Sequence, residues 1–230
     1  MIIKIRGGSQ LTNKEIQMQR MWQYFVDATV EIIDQKGIVN VTIREIATKA
    51  GYNSATIYNY FQEVSHLIFF AALKYLNKFI EELPERMEQG DNSLDKYLLS
   101  WESFCKHSFE EPDIYYAIFL ADLGEKPEEL LKYYYSVYQS DLFGEVTEDI
   151  KTFISEYNFS TRSRNALDKS VQEGILSKEE AAAINERTVL IWQGMLVTVL
   201  NNRRHLNAEE ATNKTMQHIA EIVNNYRLAK

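Results

Sequence analysis

Hydrophobic positions along this chain recur mainly at intervals of three and four residues, the spacing of one face of an α-helix. The stripe is clearest over residues 13–36, 65–87, 94–109, 178–203 and 208–228. Shorter helices are predicted over 42–50, 53–60, 114–123, 125–138, 145–157 and 162–173. The chain has only 3 prolines and 9 glycines, which argues against a β-rich or linker-rich protein. The pattern therefore predicts an all-α fold.

Residues 41–61, VTIREIATKAGYNSATIYNYF, predict two short helices joined by a tight turn. Thr42 is a plausible N-cap, and Glu45, three residues later, can bond back to it in a capping box. Gly51 is expected to end the first helix because glycine adopts positive φ without a Cβ clash. Asn53 or Ser54 would cap the second helix. This is the pattern of a DNA-binding helix-turn-helix.

The region around this motif resembles the N-terminal domain of the TetR family of transcriptional repressors, over about residues 13–67. The residues that carry the resemblance are Ala28, Ile32, Gly37, Val41-Thr42, Ile46-Ala47, Ala50-Gly51, Thr56-Ile57-Tyr58, Tyr60-Phe61 and Leu67. The resemblance implies a three-helix DNA-binding domain, residues 1–64, joined to a larger helical effector-binding and dimerisation domain, residues 65–230. Beyond about residue 70 the resemblance is architectural only.

The resemblance also implies how DNA is contacted: the second helix of the motif enters the major groove, and the first supplies phosphate clamps. The predicted DNA-binding residues are Thr42, Arg44, Lys49, Ser54, Ala55, Thr56, Tyr58, Asn59 and Tyr60. The chain departs from the family at Val64, where many members carry a phosphate-binding lysine, and at Tyr52, which is bulkier than usual. We expect His66 to be a surface residue.

The charge distribution agrees with a two-domain regulator. The net charge is −8, yet residues 1–60 carry seven Lys and Arg against five Asp and Glu, a balance of +2. Affinity for DNA depends on local phosphate contacts rather than on total charge. An acidic chain with a mildly basic N-terminal part does not suit a non-specific nucleic-acid coat, which would be basic throughout.

Residues 97–143 are unusually rich in aromatic side chains. Ordinary helix packing accounts for aromatic residues in a core, but buried tyrosine hydroxyls need partners, and ligand cavities are lined by rings with a few polar groups. We therefore predict a cavity for a small apolar or aromatic effector, cationic if the rings form a cage. The predicted lining residues are Trp101, Phe104, Tyr115, Phe119, Tyr134, Tyr138 and Phe153.

The last two predicted helices are candidates for a homodimer interface, because the first of them is apolar on more than one face. A two-fold dimer is needed if two recognition helices are to meet half-sites about 34 Å apart on a palindromic operator. The alternative is that these helices form only intrachain core. The predicted interface residues are Ala183, Leu190, Trp192, Gly194, Val197, Ile219, Val223 and Tyr226.

Other chemistry is not indicated. His107, Glu110, Glu111 and Asp113 lie close in sequence, but their spacing matches no strong metal-ligand pattern, and we expect no metal and no cofactor. Cys105 is the single cysteine, so a disulfide framework is excluded and a cytoplasmic protein with no membrane span or signal peptide is expected. The sequence thus favours a ligand-responsive repressor that binds double-stranded DNA. The alternatives are a helical protein-interaction module with a degenerate DNA-binding part and, least favoured, a helical enzyme without a recognisable catalytic constellation.

Overall fold

A computed structural model describes residues 13–123, 167–202 and 204–227, and the regular elements among them are all helical. The chain divides into two compact units, Met1–Ala71 and Ala72–Lys230. The sequence placed the boundary earlier, after residue 64. The residues between the two positions belong with the first unit because Phe70 packs edge-on against Trp22, with ring centroids 4.5 Å apart.

The first unit contains α1 (Asn13–Lys36), a 3₁₀ turn (Ile38–Asn40), α2 (Ile43–Ala50), α3 (Ser54–Ile57) and the greater part of α4 (Val64–Leu73). The α3 helix is shorter than the predicted 53–60, because the backbone leaves the helix after Ile57 and forms a turn. Trp22 also stacks on Phe61 at 5.2 Å. These aromatic contacts tie α1, the end of the motif and α4 into one core.

The prediction of one continuous helix over 65–87 is wrong. The structure has α4, a 3₁₀ turn (Lys74–Leu76) and then α5 (Asn77–Glu88). At the turn the Asn77 N–H bonds to the Lys74 carbonyl, three residues back rather than four. No glycine or proline lies in the turn, so the sequence holds no breaker signal for it.

The second unit contains α5, α6 (Ser93–Glu110), α7 (Pro112–Phe119), α8 (Lys178–Leu200) and α9 (Ala208–Arg227). Helix α6 packs against both α5 and α9, and α8 packs against α9 and α7. The Ser177 hydroxyl and the Glu180 carboxylate form a complete capping box at the start of α8. The two C-terminal helices, α8 and α9, thus cover α6 and α7.

Several predicted boundaries shift. Helix α6 begins at Ser93, one residue before the predicted start, and its cap is Asn92, whose side-chain oxygen accepts from the Leu94 and Asp95 N–H groups. Helix α7 begins at Pro112, which suits a first helical position because proline has no N–H to donate. It ends at Phe119 instead of continuing to 123. The helices predicted over 125–138 and 145–157 lie outside the described residues. Of 162–173, residues 167–172 are described and helical.

Candidate functional site

The start of α2 is fixed by Thr42. Its oxygen accepts the Glu45 N–H at 3.4 Å, and its hydroxyl donates to the Glu45 carboxylate at 2.6 Å. The predicted capping box is therefore altered, since the carboxylate takes the Thr42 hydroxyl rather than the backbone N–H. Lys36 contacts the same carboxylate at 2.5 Å. Hydrogen bonds from Lys36 and then Thr42 hold the pKa of Glu45 below its usual 4.5, so it stays ionised beside the predicted phosphate clamps.

The turn between α2 and α3 requires glycine. Gly51 has φ 72° and ψ 26°, and its N–H reaches the carbonyls of Ala47 and Thr48. The next residue, Tyr52, turns back onto α1, where its ring lies 5.6 Å from that of Phe25 and 6.3 Å from that of Tyr24. The large side chain of Tyr52 therefore packs against α1 and stabilises the turn.

Asn53 is the cap of α3. Its side-chain oxygen accepts the Thr56 N–H at 2.9 Å and the Thr56 hydroxyl at 3.1 Å. Ile57, 1% exposed, anchors the helix in the core. Of the predicted recognition residues, Ala55, Tyr58 and Asn59 are exposed, and Ser54, Thr56 and Tyr60 are half-buried. The short helix and the turn after it therefore present a polar and aromatic surface to solvent, while Ile57 holds the helix in place.

The predicted phosphate clamps differ in their surroundings. Arg44 is exposed and, among the described residues, makes no hydrogen bond or ion pair through its guanidinium. Lys49 instead contacts Glu31 of α1 at 2.6 Å. Tyr60 lies against Phe25, with ring centroids 5.6 Å apart. Arg44 is thus available to an incoming phosphate, whereas Lys49 must first exchange a carboxylate partner.

The start of α4 contains Val64, where the sequence departs from the family pattern, and His66. Val64 is its first helical residue, so the position that often carries a lysine in the family is at a helix N-terminus here too. The prediction that His66 is a surface residue is wrong, because His66 is 6% exposed. It lies beside the fully buried Leu67 on the inward side of the first turn, and a single polar residue in an apolar helix gave no signal of that burial.

In the second unit, four of the predicted effector-site residues come together around Phe104. Its ring centroid lies 5.5 Å from Trp101, 5.4 Å from Tyr115 and 5.5 Å from Phe119. These four belong to α6 and α7 and form one aromatic cluster. The other three, Tyr134, Tyr138 and Phe153, lie outside the described residues.

A fifth ring that the sequence assigned elsewhere completes this cluster. Trp192 of α8 lies 5.2 Å from Phe104 and 5.8 Å from Phe119, and it is fully buried. Its assignment to the dimer interface is therefore corrected, and the same holds for Ile219 and Val223, which are 0% exposed within their own chain. The helical stripe found in the sequence did not distinguish the inward face from the outward one.

The remaining predicted interface residues lie on or near the surface. Leu190 is 60% exposed and Val197 is 44% exposed. Gly194 is exposed between them, and no atom lies within 4 Å of where its Cβ would be. Ala183 and Tyr226 are half-buried. One face of α8 therefore presents two large apolar side chains and a glycine to its surroundings.

Within the described ranges, no three His, Cys, Asp or Glu side chains gather as metal ligands. No helix in the same ranges is long and apolar enough to cross a membrane. Burial raises the pKa of the Cys105 thiol well above its usual range, which keeps it protonated and unreactive.

Residues 25–66 match the sequence model of the bacterial regulatory proteins of the tetR family. An HTH-type transcriptional regulator of Staphylococcus aureus is 21% identical over 113 residues, which span 49% of this chain and 58% of the relative. The chain thus spans less than two thirds of the length of this relative.

Two solved structures share the fold over most of their length. Thermus thermophilus FadR, a TetR-family transcriptional repressor in complex with lauroyl-CoA, is 14% identical, with a TM-score of 0.56 over 87% of this chain and 93% of the other. The fatty acid degradation regulator FadR of Bacillus halodurans is 13% identical, with a TM-score of 0.50 over 92% and 96% of the two chains. Residues 25–66 therefore match the DNA-binding region of the tetR family of bacterial regulatory proteins, and the chain shares the helical fold of these two TetR-type structures.

Proposed function

We propose that the chain is a repressor that binds a palindromic operator as a homodimer and leaves it when a small hydrophobic effector binds the second unit. The observation that carries the DNA-binding part is the exposed surface formed by α3 and the turn after it. Tyr58 is 52% exposed, and Ala55 and Asn59 flank it. An asparagine amide can pair with an adenine edge and an alanine can contact a thymine methyl group, so this face suits base readout.

Phosphate contacts would orient that face on the duplex. Arg44, exposed in the first turn of α2, is the strongest candidate because no acidic partner in the described part of the chain neutralises it. The backbone N–H groups at the start of α2 add a favourable dipole for phosphate. Lys49 would contribute only if DNA draws it away from Glu31. We therefore assign Arg44 the larger share of the salt-dependent affinity.

The outer face of α8 supports the dimer. Ala183, Leu190 and Val197 are spaced seven residues apart and so lie along one side of the helix. Gly194 between them lets a second helix approach closely. Exposed apolar groups of this size in a row are costly in water, and burying them against the same face of a second chain would remove that cost.

The aromatic cluster around Phe104 supports an effector with a hydrophobic part and a polar group. The Tyr115 hydroxyl is buried and has no hydrogen-bond partner among the described residues, and the same is true of the Thr188 hydroxyl on α8. Burial raises the pKa of Tyr115 well above its usual range, so the hydroxyl remains a donor. Because an unpaired buried hydroxyl is costly, a ligand carbonyl that accepts from Tyr115 would be stabilised. The lauroyl-CoA bound to the Thermus thermophilus neighbour makes a long-chain acyl group the first effector class to test.

The test is fluorescence anisotropy of the purified protein on DNA from upstream of its own coding region, and on sequences selected from random DNA, with excess competitor. Tyr58→Ala should weaken specific binding at least tenfold, and Arg44→Ala should reduce the salt slope by about 0.9. The matched controls are Tyr116→Ala and Arg204→Ala, exposed residues of the second unit, which should bind as the parent does. If the folded dimer finds no competitor-resistant site, or if Tyr58→Ala binds normally, the proposal fails and the interaction-module alternative gains.

A further inference from the structure

One carboxylate oxygen at the start of α2 binds two other side chains at once. The Thr42 hydroxyl donates to Glu45 Oε2 at 2.6 Å, and Lys36 Nζ lies 2.5 Å from the same oxygen. Thr42 and Glu45 belong to the beginning of α2, whereas Lys36 is the last residue of α1. The side chains of Lys36 and Glu45 are 32% and 47% exposed. The three groups therefore meet at the surface of the first unit, beside a predicted phosphate clamp.

The chain between the two helices places Lys36 next to α2. Gly37 has φ 81°, a conformation that favours glycine, and it ends α1. The 3₁₀ turn Ile38–Asn40 then leads the chain back. The Asn40 side-chain amide donates to the Lys36 carbonyl at 2.7 Å. The backbone from which the lysine reaches Glu45 is thus held in place by the turn.

The Thr42 hydroxyl cannot serve both Glu45 and a DNA phosphate. A hydroxyl has one proton to donate, and here that proton is directed to the carboxylate. A phosphate oxygen that accepted it instead would lie about 4–5 Å from the Glu45 carboxylate, given ordinary hydrogen-bond lengths. Two negative groups repel each other at that distance. A phosphate contact at Thr42 therefore requires that the charge of Glu45 be compensated.

Lys36 is the cation that compensates this charge in the described structure. Its ammonium group forms a charge-assisted bond to the carboxylate, and that bond does not depend on the Thr42 hydroxyl. A second ion pair of the same unit, Lys49 with Glu31 at 2.6 Å, does not include the N-cap hydroxyl of α2. The Lys36 pair thus differs in sharing its carboxylate with a predicted phosphate contact.

We propose that Lys36 is a positioning residue for DNA binding. By holding the Glu45 carboxylate, it leaves the Thr42 hydroxyl able to turn to a phosphate, and it cancels the charge that would repel that phosphate. Lys36 acts through Glu45 and does not itself bind the duplex. This inference rests on the proposed function, because it requires that the start of α2 faces DNA.

The test is fluorescence anisotropy of the full-length protein on a random-sequence duplex at about 50 mM NaCl, where phosphate contacts supply the affinity. Lys36→Met should weaken binding about tenfold or more, as expected for the loss of a charge-assisted hydrogen bond. Lys36→Arg keeps the charge and should bind within about threefold of the parent. Lys36→Met/Glu45→Gln should do the same, with the salt slope of the parent, because the uncompensated charge is gone.

The matched controls are Lys178→Met and Glu179→Gln, equal charge changes at exposed positions of α8, which should bind as the parent does. Glu45→Gln alone should bind at least as tightly as the parent, and it provides the test if Lys36→Met does not fold. Urea denaturation of every variant restricts the comparison to folded protein.

Several results would overturn the proposal. If Lys36 bound phosphate directly, the double variant would remain as weak as Lys36→Met and its salt slope would be lower than that of the parent by about 0.9. Normal binding by Lys36→Met, weaker binding by Glu45→Gln, or no binding of the duplex by the parent would also contradict it. A parent that binds the random duplex but selects no operator would contradict the proposed function and leave this inference unaffected.

Discussion

The indole Nε1 of Trp192 donates a 2.9 Å hydrogen bond to the hydroxyl of Ser108, and both side chains are fully buried. The bond joins α8 to α6. Ser108→Ala would leave a buried N–H without an acceptor, so we expect it to lower the free energy of unfolding by about 1–3 kcal/mol, as measured by urea denaturation. Ser103→Ala, on the same helix but with no bond to lose, is the control and should change it by less than about 0.5 kcal/mol. Equal losses would contradict the assignment.

Two substitutions of Asn53 distinguish an effect on the stability of α3 from an effect on DNA affinity. Asn53→Ala removes the cap of α3 and should cost about 1 kcal/mol. Asn53→Asp keeps a good cap, so we expect near-parental stability in urea, but its added negative charge faces the phosphates and should weaken operator binding several-fold in anisotropy. Asn225→Asp, on the exposed side of α9, adds the same charge elsewhere and should bind normally. Equal weakening by both would show that only total charge matters.

Val64→Lys should restore a phosphate contact at the N-terminus of α4. We expect tighter operator binding and a salt slope steeper by about 0.9, the release of one counterion. Anisotropy at four or five salt concentrations measures both. Gln62→Lys, an exposed position two residues earlier, tests whether any nearby lysine suffices. An unchanged slope in Val64→Lys would show that position 64 does not reach the backbone of DNA.

Val197→Lys should convert the dimer to a monomer, because it places a charge within the proposed α8 interface, where it would have no partner. Sedimentation equilibrium provides the measurement. Val39→Lys is the matched control, since Val39 is 72% exposed and lies in the first unit. If the parent chain is itself a monomer at micromolar concentration, the α8 interface is incorrect.

The bond between Glu82 and His107 should make stability depend on pH at the acidic end. The hydrogen bond from His107 is the main cause that holds the pKa of Glu82 below its usual 4.5. Its stabilising contribution is therefore complete above pH 4.5 and is lost as pH falls through the lower folded value. Since the carboxylate is 45% exposed, Glu82→Gln should cost less than about 1 kcal/mol at pH 7. In urea titrations that difference should shrink as the pH falls below 4.5, whereas Glu186→Gln should show no difference at either end of the series.

The helix-turn-helix could be read from the sequence because its signals are local. Thr42, Gly51 and Asn53 act within a few residues of themselves, through caps and a positive φ that only their residue types favour. The length of α3 was overestimated because Tyr58 and Tyr60 continue a helical pattern, although tertiary contacts and not pattern decide where so short a helix ends.

The orientation of helix faces in the second unit could not be read in the same way. Trp192 and Leu190 belong to the same apolar run, yet one is completely buried and the other is 60% exposed. When a helix is apolar on several sides, the spacing of its apolar residues does not indicate which side faces the core. The burial of His66 was missed for a related reason: burial of a single polar side chain depends on residues distant in sequence.

The three tryptophans are divided between the two units. Trp22 lies against Phe61 and Phe70 in the first, and Trp101 and Trp192 flank Phe104 in the second. A chain with Phe at positions 101 and 192 would therefore fluoresce from the first unit alone, and one with Phe at position 22 from the second alone. The tryptophan emission of each variant, recorded across a denaturant series, reports the unfolding of one unit. Coincident transitions would mean that both units unfold in one step, and separated transitions would mean that each unfolds independently.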